Sequence, residues 1–389
     1  MTPAARIATA AELTDLILAG EPAEKALTTW ARRSRFAGSK DRAAIRDHVF
    51  DALRCRRSYA ALGGSETGRG LMLGWCLAND VPPSEVFTGE GHGPASLSEA
   101  ERSRVEKPID LNDLPGPIAG DMPDWIWPQL EDALGDQVAS VCAQLRHRAP
   151  VFLRVNLRKI SRDDASALLA AQGIATRPHA CVDTALEVTD GARQIARSDA
   201  YIDGLVELQD AASQAVTDAL DLRDGMRVLD YCAGGGGKTL AMAGRAKATF
   251  VAHDANPARL RDLTDRAARA GVRVQLTSAP KGPFDLVLCD VPCSGSGSWR
   301  RAPEGKWILT PEALERLNTT QDDILDQTAP LVAEGGTLAY ATCSLLRSEN
   351  EDRAQSFIDR HPEWTLLDQR RWHPGPDGDG FFLARFAKK

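Results

Sequence analysis

Two cysteines stand where sulfur could act as a nucleophile. Asp290-Val291-Pro292-Cys293-Ser294-Gly295-Ser296-Gly297 and Tyr340-Ala341-Thr342-Cys343-Ser344 each continue a short apolar run, and small neighbours leave each thiol accessible. A thiolate so placed can add to an electron-poor carbon, dividing one difficult step into two. The ordinary role of a lone cysteine is that of a small buried hydrophobe, and Cys55, Cys76, Cys142, Cys181 and Cys289 are expected to pack in this way. Cys289 and Cys293 have no third Cys or His at ligand spacing, so no metal is expected.

A second chemical feature precedes both. Val228-Leu229-Asp230 runs into Tyr231-Cys232-Ala233-Gly234-Gly235-Gly236-Gly237-Lys238-Thr239 and then into a helical pattern. Glycines let a backbone approach a ligand closely, and a helix start offers free N–H donors, so a nucleotide-like molecule is the expected occupant. Three readings compete. A phosphate-binding loop ending Gly-Lys-Thr needs glycine where Cys232 stands, although the apolar run closing on Asp290 imitates a second nucleoside-triphosphatase motif. A dinucleotide fingerprint meets Thr239 or Leu240 where its last glycine belongs. S-adenosylmethionine has no phosphates and needs only the turn plus an acid for its ribose. Asp254, at the end of the next strand, occupies that place, although capping of the following helix is its ordinary alternative.

The elements that must position these groups alternate from Met226 onward. Met226 to Tyr231, Thr249 to His253, Val272 to Leu276, Phe284 to Asp290 and Thr337 to Thr342 are short apolar or β-branched runs separated by helical segments such as Pro257 to Ala270 and Pro311 to Leu331. The pattern predicts an α/β fold with a mostly parallel, doubly wound sheet, which binds ligands at the carboxyl ends of its strands. Both cysteines and the glycine loop then share one edge.

Upstream, residues 1 to about 62 carry apolar positions at helical spacing, including Leu13, Ile17, Leu27, Ile45, Val49 and Leu53, amid arginines. A Gly/Pro-rich connector spans Gly89 to about Pro123, and Val151 to Asn156 has the composition of a strand. Gln144 to Arg162 contains Arg146, Arg148, Arg154, Arg158, Lys159 and Arg162 without a carboxylate, a candidate surface for a nucleic-acid backbone. Trp299 to Trp307 mixes aromatics with Arg300, Arg301 and Lys306, as a groove for single strands would.

Over 389 residues the net charge is -7, which argues against coating of nucleic acid by bulk charge but leaves a local basic groove open. The chain lacks an apolar run of membrane-spanning length, an export signal and a disulfide framework, so a soluble cytoplasmic protein is expected, off the membrane.

The glycine loop, the Asp290-Val291-Pro292-Cys293-Ser294-Gly295 segment and Ala341-Thr342-Cys343-Ser344, in that order, resemble the Nop/Sun family of RNA cytosine-C5 methyltransferases, and within it the bacterial ribosomal-RNA branch. The likeness extends to Leu153-Arg154-Val155-Asn156, Gln209 to Gln214 and Asp379 to Ala384. More weakly, Gly38 to Arg42 with Leu53-Arg54 resembles the helical NusB-like RNA-binding module of that branch. The chain departs from the family in having Gly234-Gly235 for the usual Ala-Pro, and Leu276-Thr277-Ser278-Ala279 where an acid usually follows the third strand.

The resemblance implies a helical NusB-like domain over 1–120, a small α+β RNA-binding domain over 121–205 and a Rossmann-like methyltransferase domain over 206–389. It implies S-adenosylmethionine as cofactor, held by Cys232, Ala233, Gly234, Gly235, Gly236, Gly237, Lys238, Asp254 and Asp290. Cys343 would be the nucleophile toward cytosine C6, Cys293 would assist release, and Asp290 would bond the base or cofactor. RNA, ribosomal by this likeness, would contact Arg154, Asn156, Arg300, Arg301 and Lys306, and the protein would act as a monomer. An RNA-binding assembly factor that kept the fold without turnover, or the same enzyme acting on transfer RNA, are the alternatives.

Overall fold

A computed structural model describes residues 1–388. The chain forms two compact units: Met1–Arg148 together with Trp299–Ile308, and Ala149–Ser298 together with the chain from Leu309 onward.

The first unit is helical. Helix Pro3–Leu18 starts where Thr2 accepts the Ala5 N–H at 3.2 Å and Pro3 fills the first turn. Its Ile7, Ala10, Leu13 and Ile17 recur at helical spacing and pack with Ile45, Val49 and Leu53 of helix Ser39–Arg54 and with Leu71 and Met72 of helix Gly68–Ala78. Helix Arg56–Gly63 lies so close to Gly68–Ala78 that a Cβ at Gly74 would stand 2.0 Å from the Tyr59 carbonyl oxygen. Glycine is what permits that approach.

The segment Trp299–Ile308 completes this unit. The last carbonyls of a helix have no partner within it. Here Lys306 Nζ donates to the Arg54 carbonyl and Trp307 Nε1 to the Leu53 carbonyl, each at 2.7 Å. Arg54 Nε in turn donates to the Arg300 carbonyl at 2.7 Å. A cation at a helix carboxyl end also complements the helix dipole.

The second unit holds two sheets. Strands β1 (Val151–Val155), β2 (Ala175–Pro178), β3 (Ala185–Asp190) and β4 (Val206–Leu208) form an antiparallel sheet in the order β2-β3-β1-β4, backed by helix Arg162–Ala171. The larger sheet comprises β5 (Arg227–Asp230), β6 (Thr249–Ala252), β7 (Val274–Leu276), β8 (Phe284–Asp290), β9 (Val332–Thr342), β10 (Trp364–Trp372) and β11 (Phe381–Lys388). Its order is β10-β11-β9-β8-β5-β6-β7, parallel from β9 to β7 and antiparallel where β11 joins β9 and β10. This is the mostly parallel, Rossmann-like architecture expected. Strand order reverses between β5 and β8, which opens a crevice at their carboxyl ends. Leu229, Val287, Cys289, Leu338 and Tyr340 are fully buried within the sheet.

Helices Trp127–Leu134 and Val138–Leu145 lie in the first compact unit. Two details differ from the sequence reading. The run Pro257 to Ala270 breaks into a 3-10 turn, Pro257–Leu260, and a helix, Leu263–Ala270. Cys181 is exposed, whereas Cys55, Cys76, Cys142 and Cys289 are buried as expected. Among the described residues no helix is long and apolar enough to cross a membrane.

Candidate active site

The glycine loop leaves β5 and turns into helix Gly237–Arg245. Gly234 and Gly236 have φ of +52° and +79°. A Cβ at Gly236 would meet Leu263 Cδ1 at 2.1 Å, so glycine is required there on two counts. The Gly234 N–H donates to Asp254 Oδ2 at 2.9 Å, while Asp254 Oδ1 accepts the Asn256 N–H at the same distance. The buried Asp254 thus shapes the loop from the end of β6. Beside it, Tyr231 stacks on His253 with ring centroids 4.4 Å apart.

Asp230, at the tip of β5, is fully buried. Its Oδ2 accepts the Thr239 hydroxyl at 2.6 Å and its Oδ1 has no partner among the described residues, and burial pushes the carboxyl up to about 7. At the end of β8, Asp290 Oδ2 receives Lys238 Nζ at 2.7 Å, and the ammonium lies 4.7 Å over the Phe381 ring. The parallel register sets Asp230 of β5 against Leu288 of β8, so Asp290 stands two residues further along the neighbouring strand, at the same sheet edge.

The two cysteines follow β8 and β9, and their sulfurs are 3.5 Å apart. The loops also join where the Gly297 N–H donates to the Cys343 carbonyl at 2.9 Å. The hydrogen bond from Cys293 holds the Cys343 thiol below its ordinary range, and Lys238 acts in the same sense. That bond, together with burial, pushes Cys293 well up. The two directions make Cys343 the more acidic thiol of the pair.

A cavity of about 450 Å³ gathers Cys232, Ala233, Gly234, Gly235, Gly237, Lys238, Asp290, Cys293 and Cys343. Asp254 lines a neighbouring hollow of about 300 Å³ with Leu276, Thr277 and Ser278. Gly236 lies outside both and acts as the turn before the helix. Burial raises the Cys232 thiol far above its ordinary range, which leaves it a neutral wall of the cleft.

The residues expected to meet RNA do not gather here. Arg154 is buried, donates to the Gly237 carbonyl at 2.7 Å and bonds Gln209; burial lowers its pKa to about 10. Asn156 Nδ2 donates to the Ala270 carbonyl at 2.8 Å, and Arg158 and Lys159 bond the carbonyls of Ala243 and Asp203. From Arg154 to Arg162 the basic run thus supplies donors to backbone oxygens of its own fold, while Arg146 and Arg148 pair with Asp121 and Asp47, uses that composition cannot tell from phosphate contact. Arg300 and Lys306 are 2% and 1% exposed and belong to the packing of the helical unit; of the expected basic groove only Arg301 is exposed. A cation without access to solvent cannot release counterions from a phosphate backbone, so Arg154, Arg300 and Lys306 are reassigned to structure.

Sequence reasoning missed Glu349, a buried carboxylate between the two cysteine loops, and Gln209, which lines the main cavity. Gln209 lies in the segment that carried the resemblance. Glu349 had no signal, because a single acid after Cys343 reads as surface charge.

Comparison with known proteins accords with this geometry. Residues 217–387 match the family model described as 16S rRNA methyltransferase RsmB/F, and residues 122–196 match the ferredoxin-like domain of RsmF/B-like methyltransferases. Ribosomal RNA small subunit methyltransferase B of Serratia proteamaculans is 32% identical over 290 residues, which span 68% of this chain and 66% of that relative, just under two thirds. Among solved structures, PH0851 superposes on 100% of this chain and 99% of its own, with TM-score 0.75 and 22% identity. A methyltransferase homologue from Pyrococcus horikoshii covers 72% of this chain and 100% of its own, with TM-score 0.63 and 24% identity. Residues 217–387 therefore carry a methyltransferase domain of the RsmB/F type, and the chain as a whole is similar to the curated small-subunit methyltransferases B, of whose length it spans just under two thirds.

Proposed function

We propose that this chain transfers a methyl group from S-adenosylmethionine to C5 of a cytosine in RNA, in the small-subunit ribosomal RNA of the cytoplasm. The observation that carries the proposal is the Cys293–Cys343 pair, 3.5 Å apart on the wall of the glycine-lined cavity. The family model and the curated relatives support ribosomal RNA as the substrate.

The residues fit the cofactor. The loop lacks one glycine of a phosphate cradle, Asp254 stands where a ribose would be held, and Asp230 Oδ1 is a buried acceptor with no donor among the described residues. A solved NSun6 from Pyrococcus horikoshii was determined with SFG, a further support for this class of ligand. When bound, S-adenosylmethionine supplies an electrophilic methyl on a sulfonium. Gly234 to Gly237 would admit it closely, with Asp254 and Asp290 as its polar anchors.

Cytosine C5 is a weak nucleophile until C6 is attacked. Cys343 Sγ forms a bond to C6, which moves electron density onto C5. Lys238 and the Cys293 thiol stabilise the attacking thiolate, and Asp290, held by Lys238, presents its other oxygen to the amino edge of the base. Once C5 carries the methyl that the cofactor would supply, its proton passes to water in the open cavity, the released electron pair re-forms the C5=C6 double bond as the S–C6 bond breaks, and Cys343 leaves as a thiolate beside Cys293. The base must first leave its stack, which costs a few kcal/mol unless it already lies in a loop.

Transfer of labelled methyl to small-subunit RNA, mapped by bisulfite sequencing, tests the activity. Cys343→Ala abolishes both transfer and covalent adducts, whereas Cys293→Ala accumulates protein bound to RNA. Adducts from the Cys343 variant instead would reverse the two roles.

A further inference from the structure

We infer that Glu349 is a positioning residue for this reaction: its single carboxylate ties the loop that carries Cys293 to the loop that carries Cys343 and so sets the approach of the two sulfurs. The inference rests on the proposed roles of that pair. Glu349 closes the 3-10 turn Arg347–Glu349 and is fully buried. Its Oε1 accepts the Ser294 N–H at 2.8 Å and Gln321 Nε2 at 3.0 Å. Its Oε2 accepts the hydroxyls of Ser294 and Ser344, each at 2.5 Å. Ser294 and Ser344 are the residues immediately after the two cysteines, so one carboxylate fixes both sulfur-bearing backbones.

The anchor is itself held. Tyr340 Oη donates to the Glu349 carbonyl at 2.5 Å, and Asn350 Nδ2 donates to the Ser344 carbonyl at 3.0 Å. Gln321 Nε2 also reaches the Pro292 carbonyl at 3.0 Å, which links helix Pro311–Thr328 to the same loop. These four donors to the carboxylate are all neutral. A buried carboxylate with neutral partners is an expensive way to fill space, and a packed apolar side chain would be the cheaper solution for stability alone. The device makes sense where the position of the two loops matters more than the stability of the core.

Charge is divided between the sulfurs in the same way. Glu349 and the Cys343 sulfur bear on Cys293, while Lys238, Asp290 and Cys293 bear on Cys343. Behind Tyr340 stand Arg353 and Asp322, which form an ion pair with each other. A negative group on the Cys293 side opposes a thiolate there and leaves Cys343 as the more reactive sulfur.

The test compares Glu349→Asp, which keeps the charge and shortens the reach, with Glu349→Gln, which keeps the reach and removes the charge. Glu349→Asp lowers kcat for methyl transfer to RNA about ten- to a hundredfold with KM for RNA changed by less than about twofold, as expected of a small misplacement of the reacting groups. Glu349→Gln, whose amide can meet the same serine hydroxyls after they rotate, keeps at least about a third of kcat. On RNA-free chain, iodoacetamide labelling mapped by mass spectrometry at neutral pH shows Cys293 reacting at least about threefold faster in Glu349→Gln, with Cys343 nearly unchanged. Wild-type kcat in Glu349→Asp, or equal acceleration of both thiols in Glu349→Gln, overturns the inference. Selective labelling of Cys293 alongside a wild-type chain that methylates no RNA would keep the tie and reject the proposed activity instead.

Discussion

Lys306 offers a prediction whose size follows from the structure. The side chain is 1% exposed, its ammonium donates to the Arg54 carbonyl at 2.7 Å, and burial lowers its pKa from 10.5 to about 8, with Asp121 as the leading opposing influence. Each tenfold change in proton affinity is worth about 1.4 kcal/mol, so keeping Lys306 charged in the fold costs on the order of 3 kcal/mol relative to the unfolded chain. As pH rises through 8 the folded protein releases this proton while the unfolded chain still holds it. The unfolded state then binds more protons, and stability contributed at this site rises until about pH 10.5. The buried thiols of Cys55 and Cys142, pushed up to about 11 and about 12, act in the opposite sense over the same range. They are present in any Lys306 variant and largely cancel in a comparison. Urea denaturation of wild type and Lys306→Met at pH 7, 8, 9 and 10, followed by tryptophan fluorescence, should show wild type gaining on the variant by about 2 kcal/mol between the lowest and highest pH. A difference that stays flat, or that moves in favour of the variant as pH rises, would show that the ammonium is not held charged in a desolvated site.

Two further outcomes concern the cleft and the RNA surface. Asp254→Ala removes the acceptor for the Gly234 and Asn256 N–H groups and should weaken S-adenosylmethionine binding by about tenfold or more in calorimetry; unchanged affinity would remove Asp254 from the cofactor site. Arg154→Met removes the buried donor shared by the Gly237 carbonyl and Gln209 and should cost about 1–3 kcal/mol of stability, with no change in the salt dependence of RNA binding. Neutralising Arg301, the exposed cation of the expected groove, should by contrast reduce the slope of log affinity against log salt by about 0.7, as for one phosphate contact on a single strand, and the reverse pattern would return Arg154 to the interface.

What the sequence made legible is what local pattern can encode. β5, β6, β8 and the end of β9 are buried on both faces and therefore read as short apolar runs, and loops that follow such strands must fall on one edge. The placing of Cys293 and Cys343 together follows from that topology. β10 was not legible, because as an edge strand it carries the polar run Asp368-Gln369-Arg370-Arg371 in its middle and reads as surface. The arginines were misread for a related reason. A guanidinium on a phosphate and one on a helix-terminal carbonyl need the same side chain, and only the fold decides between them, as Arg154 shows. Glu349 is the limiting case, since three of its four donors come from Ser294 and Gln321, 55 and 28 residues earlier in the sequence.

The stretch Trp299–Ile308 carries a consequence for biosynthesis. Its Lys306 and Trp307 close the carboxyl end of helix Ser39–Arg54, yet it leaves the ribosome only after the greater part of the central sheet has been made. The amino-terminal bundle must therefore wait, its last turn open to water, for a plug encoded far downstream. A fragment cut at Arg148 would lack that plug and leave the Leu53 and Arg54 carbonyls to water.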